Sequence, residues 1–166
     1  GHRRCIHRLG GAVMKLERAT PARAAAVARL LHDFNSEFET PVPSVADLAQ
    51  RFARLLRRDD VVVVLALDPD PVGFALLTFR PTPYSDGPLA QLEELYVVPD
   101  LRGSGIGSQM MEYAIGLVRE RGCEEMHINV DEPDSGARRL YERHGFSNYE
   151  LGQDYRMLCY VREFGA

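Results

Sequence analysis

The amino-acid sequence predicts a single α/β domain. Its 166 residues match the roughly 100 to 200 residues of one domain. Apolar residues recur with helical spacing in some segments, and in others they run continuously or alternate, as strands require. Taken in order, the segments give β-α-α-β-β-β-α-β-α-β-β, a pattern typical of helices packed on a sheet.

Residues 1–13 are predicted to lie outside this domain. They carry three arginines and no acid, begin without Met, and lead into Gly10 and Gly11. Such a stretch is typical of a flexible extension or an expression remnant, with Met14 as the candidate native start. The folded domain is therefore expected to span residues 14–166.

The predicted elements begin with a strand at Met14–Ala19, followed by two helices. Thr20 and Pro21 supply an N-cap and a proline at the first helical position. Ser44, with Asp47 three residues later, resembles a capping box for the second helix. The apolar stripe of the first helix is Val27, Leu30, Leu31, Phe34 and Phe38, and that of the second is Val45, Leu48, Phe52, Leu55 and Leu56.

Three strands are predicted next. Val61–Leu67 is continuous and rich in valine, which favours a strand covered on both faces. Asp68–Pro71 marks a turn into a second strand that ends near Arg80, so the two strands form a hairpin. The third strand is Gln91–Val98, and Pro99 ends it.

The remaining segments alternate helix and strand. A helix follows the glycine-rich turn at 103–107, and Gly122 is the candidate for its C-terminal end. Apolar residues alternate along a strand at Met126–Val130, and Asp134 or Ser135 caps a short helix. Gly145 ends that helix, and two closing strands are predicted at Phe146–Glu150 and Tyr155–Val161.

Composition and charge argue against several classes of protein. The net charge is −4, and the arginines of the first thirteen residues leave the body at −7, which disfavours nucleic acid as a ligand. The longest apolar run, Val61–Leu67, is far shorter than the roughly 18 residues of a membrane span. Three separated cysteines and five scattered histidines predict no metal site and a reducing, cytoplasmic compartment. Cys123 is expected to be a buried, inert thiol.

The glycine-rich turn is the strongest local signal for a binding site. Gly103, Gly105 and Gly107 precede a helix, so the backbone there can approach a ligand and direct N–H groups at an anion. Arg102 adds a planar cation suited to phosphate oxygens. The alternative is a tight connection without a ligand. Ser108 stands where a dinucleotide fingerprint needs its last glycine, and the Walker pattern lacks its Gly-Lys pair.

Two motifs carry a resemblance to a known family. Arg102-Gly103-Ser104-Gly105-Ile106-Gly107 matches the pattern R/Q-x-x-G-x-G/A and follows the strand Leu92–Pro99. Downstream, Asp134–Phe146 matches N-x-x-A-x-x-L-Y-x-x-x-G-F, with Asp134 in place of the usual Asn. In both motifs the chain resembles the GCN5-related N-acetyltransferases, the GNAT family. The resemblance implies a mixed, mostly antiparallel sheet flanked by helices.

The resemblance also implies acetyl-CoA as the acetyl donor. The donor's pyrophosphate is expected on the glycine turn, with its pantetheine along the preceding strand, paired with the backbone of Leu95 and Val97. The following strand, which includes His127, must therefore diverge, and Asn129 is expected to bond a pantetheine amide. An alternative for His127 is a strand residue without a ligand. The implied donor contacts are Leu95, Tyr96, Val97, Arg102, Gly103, Ser104, Gly105, Ile106, Gly107, Ser108, Asn129, Asp134 and Ala137.

Acetyl transfer to an amine requires a neutral nucleophile, a polarised carbonyl and a proton for the departing thiolate. The resemblance assigns the proton to the phenol of Tyr141, and the alternative for Tyr141 is a core residue. Glu93 and Glu94 are adjacent on a strand, so they are expected to point to opposite faces, with one of them as the base, directly or through water. Glu93 matches an acidic position near substrate in polyamine-acetylating members. The N–H of Val97 is expected to hold the thioester oxygen.

The acceptor is expected to be a small cationic amine that attacks the thioester directly in a ternary complex. In the resembled fold the first two helices close over the acceptor, which makes Phe34 and Glu37, with Glu93, the candidate substrate contacts. The alternative for the acidic stretch Asp33–Glu39 is a solvated helix face. Three other functions stay open: acetylation of a protein or peptide N-terminus, acyl-CoA sensing without turnover, and nucleotide-dependent regulation. A homodimer through the closing strands is also expected from the family.

Overall fold

A computed structural model describes residues 6–9 and 12–165 of the chain. By the contacts between Cα atoms, it divides into two compact units, one up to Ile128 and the other from Asn129 onward. The first unit contains six strands and three of the four described α-helices. The second contains the fourth helix.

The sheet of the first unit has six strands in sequence order. They are β1 (Ile6–Leu9), β2 (Ala12–Arg18), β3 (Val61–Leu67), β4 (Pro71–Arg80), β5 (Leu89–Val97) and β6 (Met126–Ile128). Every neighbouring pair is antiparallel except β5 with β6, which is parallel. The expected mixed, mostly antiparallel sheet is therefore confirmed.

Helices pack on both faces of this sheet. They are α1 (Ala24–Glu37), α2 (Val45–Leu55) and α3 (Ile106–Glu120), and a 3-10 turn at Pro21–Arg23 leads into α1. Every residue of β3 is buried, as its continuous apolar run predicts. Val63 and Leu65 contribute to the core under α1 and α2, whereas Ala66 packs in the core that includes Ile106 and Met110 of α3.

Local sequence signals determine several helix ends. The Ser44 side chain accepts a hydrogen bond from the Asp47 N–H at 3.1 Å, which confirms Ser44 as the N-cap of α2. After α3, Gly122 has φ of 75°, a left-handed conformation that glycine adopts without a steric cost. The Cys123 N–H then donates to the carbonyl of Val118, which closes the end of the helix.

Part of residues 1–13, which were expected to form a flexible extension, belongs to the sheet. Within it, the backbone of Ile6–Leu9 pairs with β2, and β2 itself begins at Ala12 rather than at Met14. The assignment of residues 1–13 to a separate segment stays a prediction.

The second unit contains α4, which spans Ser135–Arg143. Asp134 is its N-cap, since the Asp134 Oδ1 accepts from the Ala137 N–H at 3.2 Å. Gly145 follows the helix with φ of 88°, as its place after the helical pattern predicts.

Cys123, which was expected to be a buried thiol, lies in the first unit and is only half-buried. Burial raises the pKa of this thiol.

The prediction of two closing strands is wrong. Residues 146–150 and 155–161 form no strand, and their ladder is limited to one antiparallel bridge between Tyr149 and Arg156. A strand needs a partner along its length, and the apolar residues here, such as Leu151 and Tyr160, are exposed to solvent. A homodimer contact through this segment stays a prediction.

Gly73 on β4 is expected to be sensitive to substitution because the sheet and α3 close around it. A Cβ at this position would lie 2.7 Å from the backbone oxygen of Tyr96 and 3.1 Å from the Met110 Cε. Since backbone cannot yield without disturbing the ladder, Gly73→Ala should destabilise the fold by about 1–3 kcal/mol. Thermal or urea unfolding measures the change.

Gly116 provides the matched control for this substitution. It lies inside α3, and a Cβ there would meet nothing within 4 Å. Gly116→Ala should therefore stabilise the protein by about 0.5–1 kcal/mol, because alanine loses less backbone entropy in a helix. Equal effects of the two substitutions would show that the close approach at Gly73 is unimportant.

Among the described residues, no helix is both long enough and apolar enough to cross a membrane.

Candidate active site

A β-bulge interrupts β5 at Glu93. Leu76 of β4 pairs with Glu94, while the next residue, Leu77, pairs with Leu92, so Glu93 is an extra residue in the ladder. Pairing of β5 with β6 ends just before the bulge, at Leu92 and Ile128. β6 itself ends at Ile128, so the expected divergence of the two strands beyond this point stays a prediction. The edge of β5 after Glu93 is therefore not paired with β6.

The bulge brings two carboxylates to one face of the sheet. Glu94 is opposite Leu76 of β4. Glu93 accepts a hydrogen bond at 2.7 Å from the Thr78 hydroxyl. Thr78 lies two residues after Leu76 on β4, so these two side chains share a face of the sheet. The expectation that Glu93 and Glu94 point to opposite faces is therefore wrong. It assumed strict alternation, which an extra residue in one strand cancels. Thr78 is a partner that the sequence reasoning missed, because no local pattern joins residues 15 positions apart.

The two glutamates differ in their surroundings. Glu93 is exposed, whereas Glu94 is half-buried on the face that also carries Tyr96. Burial raises the pKa of the Glu94 carboxyl, and the negative charge of Glu93 raises it further. A carboxylate with a raised pKa is a better proton acceptor than an ordinary one, so Glu94 is the stronger candidate base.

Beyond the bulge, the backbone groups of β5 alternate between its two edges. The Val98 N–H donates to the Val72 carbonyl at 2.9 Å, so Val98 and, two residues back, Tyr96 direct their backbone groups toward β4. By the same alternation, Leu95 and Val97 direct theirs toward the edge that β6 leaves. The predicted pantetheine positions therefore have the required orientation.

The Tyr96 side chain lies in the core rather than at this edge. Its ring packs edge-on against Phe34 of α1, with centroids 5.1 Å apart, and tilts against Phe74 at 6.3 Å. Burial raises the pKa of the Tyr96 phenol, and the Glu37 carboxylate contributes in the same direction. Phe34, predicted as a substrate contact, thus joins α1 to β5 on the face that carries both glutamates.

The glycine-rich turn connects this edge to α3. Gly103 and Gly105 have φ of 78° and 89°, left-handed values that explain why glycine stands at both positions. The first α-helical hydrogen bond runs from the Gln109 N–H to the Gly105 carbonyl, so the N–H groups of Ile106 and Gly107 precede the helical ladder. Ile106 anchors the turn in the core, and the side chain of Ser104 donates to the Leu101 carbonyl.

Arg102 and Glu37 form a bidentate ion pair. The two terminal nitrogens of Arg102 donate to the two carboxylate oxygens of Glu37, at 2.6 and 2.7 Å. The Arg102 Nε donates to the Val97 carbonyl at 3.0 Å, and the guanidinium carbon lies 5.6 Å from the Tyr96 ring centroid. Arg102, a predicted contact of acetyl-CoA, and Glu37, a predicted contact of the amine substrate, are therefore bonded to each other.

Four predicted site residues belong to the second unit. Asp134 and Ala137 form the N-cap bond of α4, and Asn129 is exposed. Tyr141 lies on α4, half-buried, with its ring edge-on to Phe146 at 6.3 Å between centroids. Their roles in binding and catalysis stay predictions.

The His127 side chain on β6 has an acidic partner. Its Nε2 lies 2.6 Å from the Glu125 carboxylate. Across residues 6–9 and 12–165, no group of three or more His, Cys, Asp or Glu side chains is arranged to hold a metal ion.

Comparison with known proteins identifies the family of this chain. Residues 27–146 match the sequence model of the Acetyltransferase (GNAT) family, which is more than half of the chain. The chain belongs to the GNAT family. It is therefore an acetyltransferase, and acetyl-CoA is the donor that this family generally uses.

Individual relatives extend this GNAT assignment. The chain is 30% identical over 146 residues to the aminoglycoside N(6')-acetyltransferase type 1 of Stenotrophomonas maltophilia, covering 86% of this chain and 92% of that protein. It is 33% identical over 108 residues to an uncharacterized N-acetyltransferase of Archaeoglobus fulgidus, covering 64% and 74%. The crystal structure of a proposed acetyltransferase from Arthrobacter sp. FB24 matches with 50% identity and a TM-score of 0.85, covering 90% and 95%.

Proposed function

We propose that this GNAT enzyme transfers the acetyl group of acetyl-CoA to the primary amine of a small cationic acceptor. The observation that carries the proposal is the bulge at Glu93, because it lies where the pairing of β5 with β6 ends and it brings two carboxylates to one face. A cationic acceptor is attracted to such a pair. The aminoglycoside acetyltransferase from Stenotrophomonas maltophilia supports this class of acceptor, since it aligns over most of both chains.

The donor is bound by backbone groups in this proposal. The Leu95 and Val97 amides pair with the pantetheine as an added strand would, and the turn at 103–108 receives the pyrophosphate. The Val97 N–H is also the proposed partner of the thioester oxygen, where it stabilises the negative charge that develops during attack. Holding both substrates in this way is the largest contribution to the rate, since orientation supplies effective molarities of about 10⁵–10⁸ M.

Glu94 accepts a proton from the acceptor's ammonium, directly or through water, so that the amine becomes a nucleophile. Its pKa, raised by burial and by Glu93, brings it closer to the pKa of an amine than that of an ordinary carboxyl. The nitrogen then forms a bond to the acetyl carbon and the carbon–sulfur bond breaks. Tyr141 donates the proton that the thiolate takes, on the evidence of its motif alone, and the proton that the nitrogen loses as it becomes an amide restores the phenol.

Removal of the Glu93 charge should shift the pH dependence of the reaction. A base must be deprotonated, so kcat/KM falls as the pH drops through the pKa of Glu94. Because the charge of Glu93 raises that pKa, Glu93→Gln should move the acidic limb of the kcat/KM profile to lower pH. An acidic limb that stays in place would mean that Glu93 does not influence the base.

The experiment that tests the function is acceptor-dependent thiol release. Acetyl-CoA is incubated with the protein and a panel of aminoglycosides, polyamines, amino acids and N-terminal peptides, each read against a blank without acceptor. Release with the cationic amines supports the proposal, and release only with peptides would favour the N-terminal alternative. If calorimetry shows binding of acetyl-CoA but no acceptor causes thiol release, the protein is better described as an acyl-CoA sensor. A failure to bind acetyl-CoA would refute its assignment as the acetyl donor.

A further inference from the structure

The contact between Arg102 and Glu37 joins the two halves of the proposed reaction. Arg102 opens the turn that is the proposed pyrophosphate site, and Glu37 ends α1, which packs on the face that carries Glu93 and Glu94. All three guanidinium nitrogens of Arg102 donate hydrogen bonds. Nε donates to the Val97 carbonyl, and the two terminal nitrogens donate to the Glu37 carboxylate. The cation is therefore neutralised by a carboxylate of the same chain.

A carboxylate and a diphosphate are alternative partners for the same donors. Each can accept two parallel hydrogen bonds from the planar guanidinium of Arg102. The two terminal nitrogens cannot make this bidentate pair with a carboxylate and a diphosphate at the same time. The hydrogen bond from Arg102 holds the pKa of the Glu37 carboxyl below its usual value, so Glu37 is ionised and competes as an anion at neutral pH. The contact is partly exposed, and a diphosphate can therefore reach it through solvent.

We propose that Glu37 is an internal competitor for the donor's diphosphate, and that acetyl-CoA displaces it from Arg102 and so frees its carboxylate for the cationic acceptor. This inference rests on the proposed function, because it takes acetyl-CoA as the donor. Donor binding then strengthens acceptor binding, and by thermodynamic reciprocity the acceptor strengthens donor binding. Each substrate is consequently expected to bind more tightly when the other is present.

The decisive variant is Glu37→Gln, which keeps the size of the side chain and removes its charge. If Glu37 competes, acetyl-CoA should bind the variant about twofold to fivefold more tightly than the wild type, the range of a partly exposed ion pair. Inorganic pyrophosphate should show the same gain, and S-acetylpantetheine, which lacks the diphosphate, should show none. Damage to the fold would weaken binding, so a gain in affinity cannot arise from misfolding.

Three further variants separate exchange at Arg102 from a general effect of charge. Asp33→Asn removes a negative charge one turn earlier on α1 and should leave the dissociation constant of acetyl-CoA unchanged. In an Arg102→Ala background, which should itself bind acetyl-CoA less tightly than the wild type, adding Glu37→Gln should have no further effect. Calorimetry on all five proteins, wild type included, completes the cycle.

Each outcome has a definite meaning. A gain confined to Glu37→Gln, dependent on Arg102 and on the diphosphate, supports the competition. Unchanged or weaker acetyl-CoA binding by Glu37→Gln would overturn it, as would an equal gain in Asp33→Asn. The proposed function is tested separately by the wild type, which must bind acetyl-CoA and release thiol whether or not Glu37 competes.

Discussion

Replacement of Glu94 by Gln is expected to lower kcat by about a hundredfold or more, since a positioned general base contributes roughly 10²–10⁴ to a rate. The amide keeps the shape of the side chain but cannot accept the proton of the acceptor's ammonium. The affinity for acetyl-CoA should stay the same, because the proposed donor contacts are backbone groups of β5 and of the turn after it. Activity should not vanish, because orientation of the two substrates remains.

Steady-state kinetics with acetyl-CoA and a responsive amine measures this effect. Glu112→Gln is the matched control, because it makes the same chemical change on an exposed part of α3 and should leave kcat/KM within about twofold. The Glu94 variant should recover part of its rate at high pH, where more of the free amine is already neutral. A kcat equal to that of the wild type at neutral pH would remove Glu94 from the mechanism.

The elements that the sequence predicted correctly depend on short-range physics. The valine-rich run of β3 cannot stay in water, so it predicts a strand buried on both faces, as observed. Ser44 caps α2 through an atom three residues away, and Gly103 and Gly105 of the turn occupy left-handed conformations that other residues avoid. In each case the cause lies within a few residues of its effect, so a local pattern suffices.

The features that the sequence did not predict depend on pairs of distant segments. The bulge at Glu93 is a relation between β4 and β5, since it exists only when two residues of one strand face one of the other. No periodicity within β5 records it, and strict alternation gave the wrong faces for Glu93 and Glu94. The same limit applies to the closing segments, whose alternating apolar residues do not specify a partner strand.

The pairing of Arg102 with Glu37 is a second case of this kind. Each residue was predicted to contact a different substrate: Arg102 as a planar cation beside the glycine turn, and Glu37 because the resembled fold closes its first two helices over the acceptor. The two are 65 positions apart, and only the packing of α1 on β5 brings them together. The sequence predicted the residues, and the tertiary fold determined that they bond to each other.

Tyr141→Phe is expected to lower kcat by about a hundredfold or more while leaving the affinity for acetyl-CoA unchanged. A thiolate whose acid has a pKa of about 8.5 is a poor leaving group in a dry site, and a phenol with a pKa of about 10 can supply its proton. Phenylalanine keeps the ring, and with it the edge-on contact with Phe146, and thermal unfolding of the variant measures any change in stability. The loss then reports on the hydroxyl alone.

A donor with a better leaving group distinguishes this role from a structural one. If Tyr141 protonates the departing sulfur, an acetyl thioester of a more acidic thiol needs no acid, and the defect of Tyr141→Phe should shrink toward the wild-type rate. A misplaced helix would slow both donors equally. Tyr149→Phe removes a hydroxyl elsewhere in the same unit, where the ring lies 5.0 Å from the Arg156 guanidinium, and it should leave both rates unchanged. Equal rates for Tyr141→Phe and the wild type with acetyl-CoA would assign Tyr141 to the core instead.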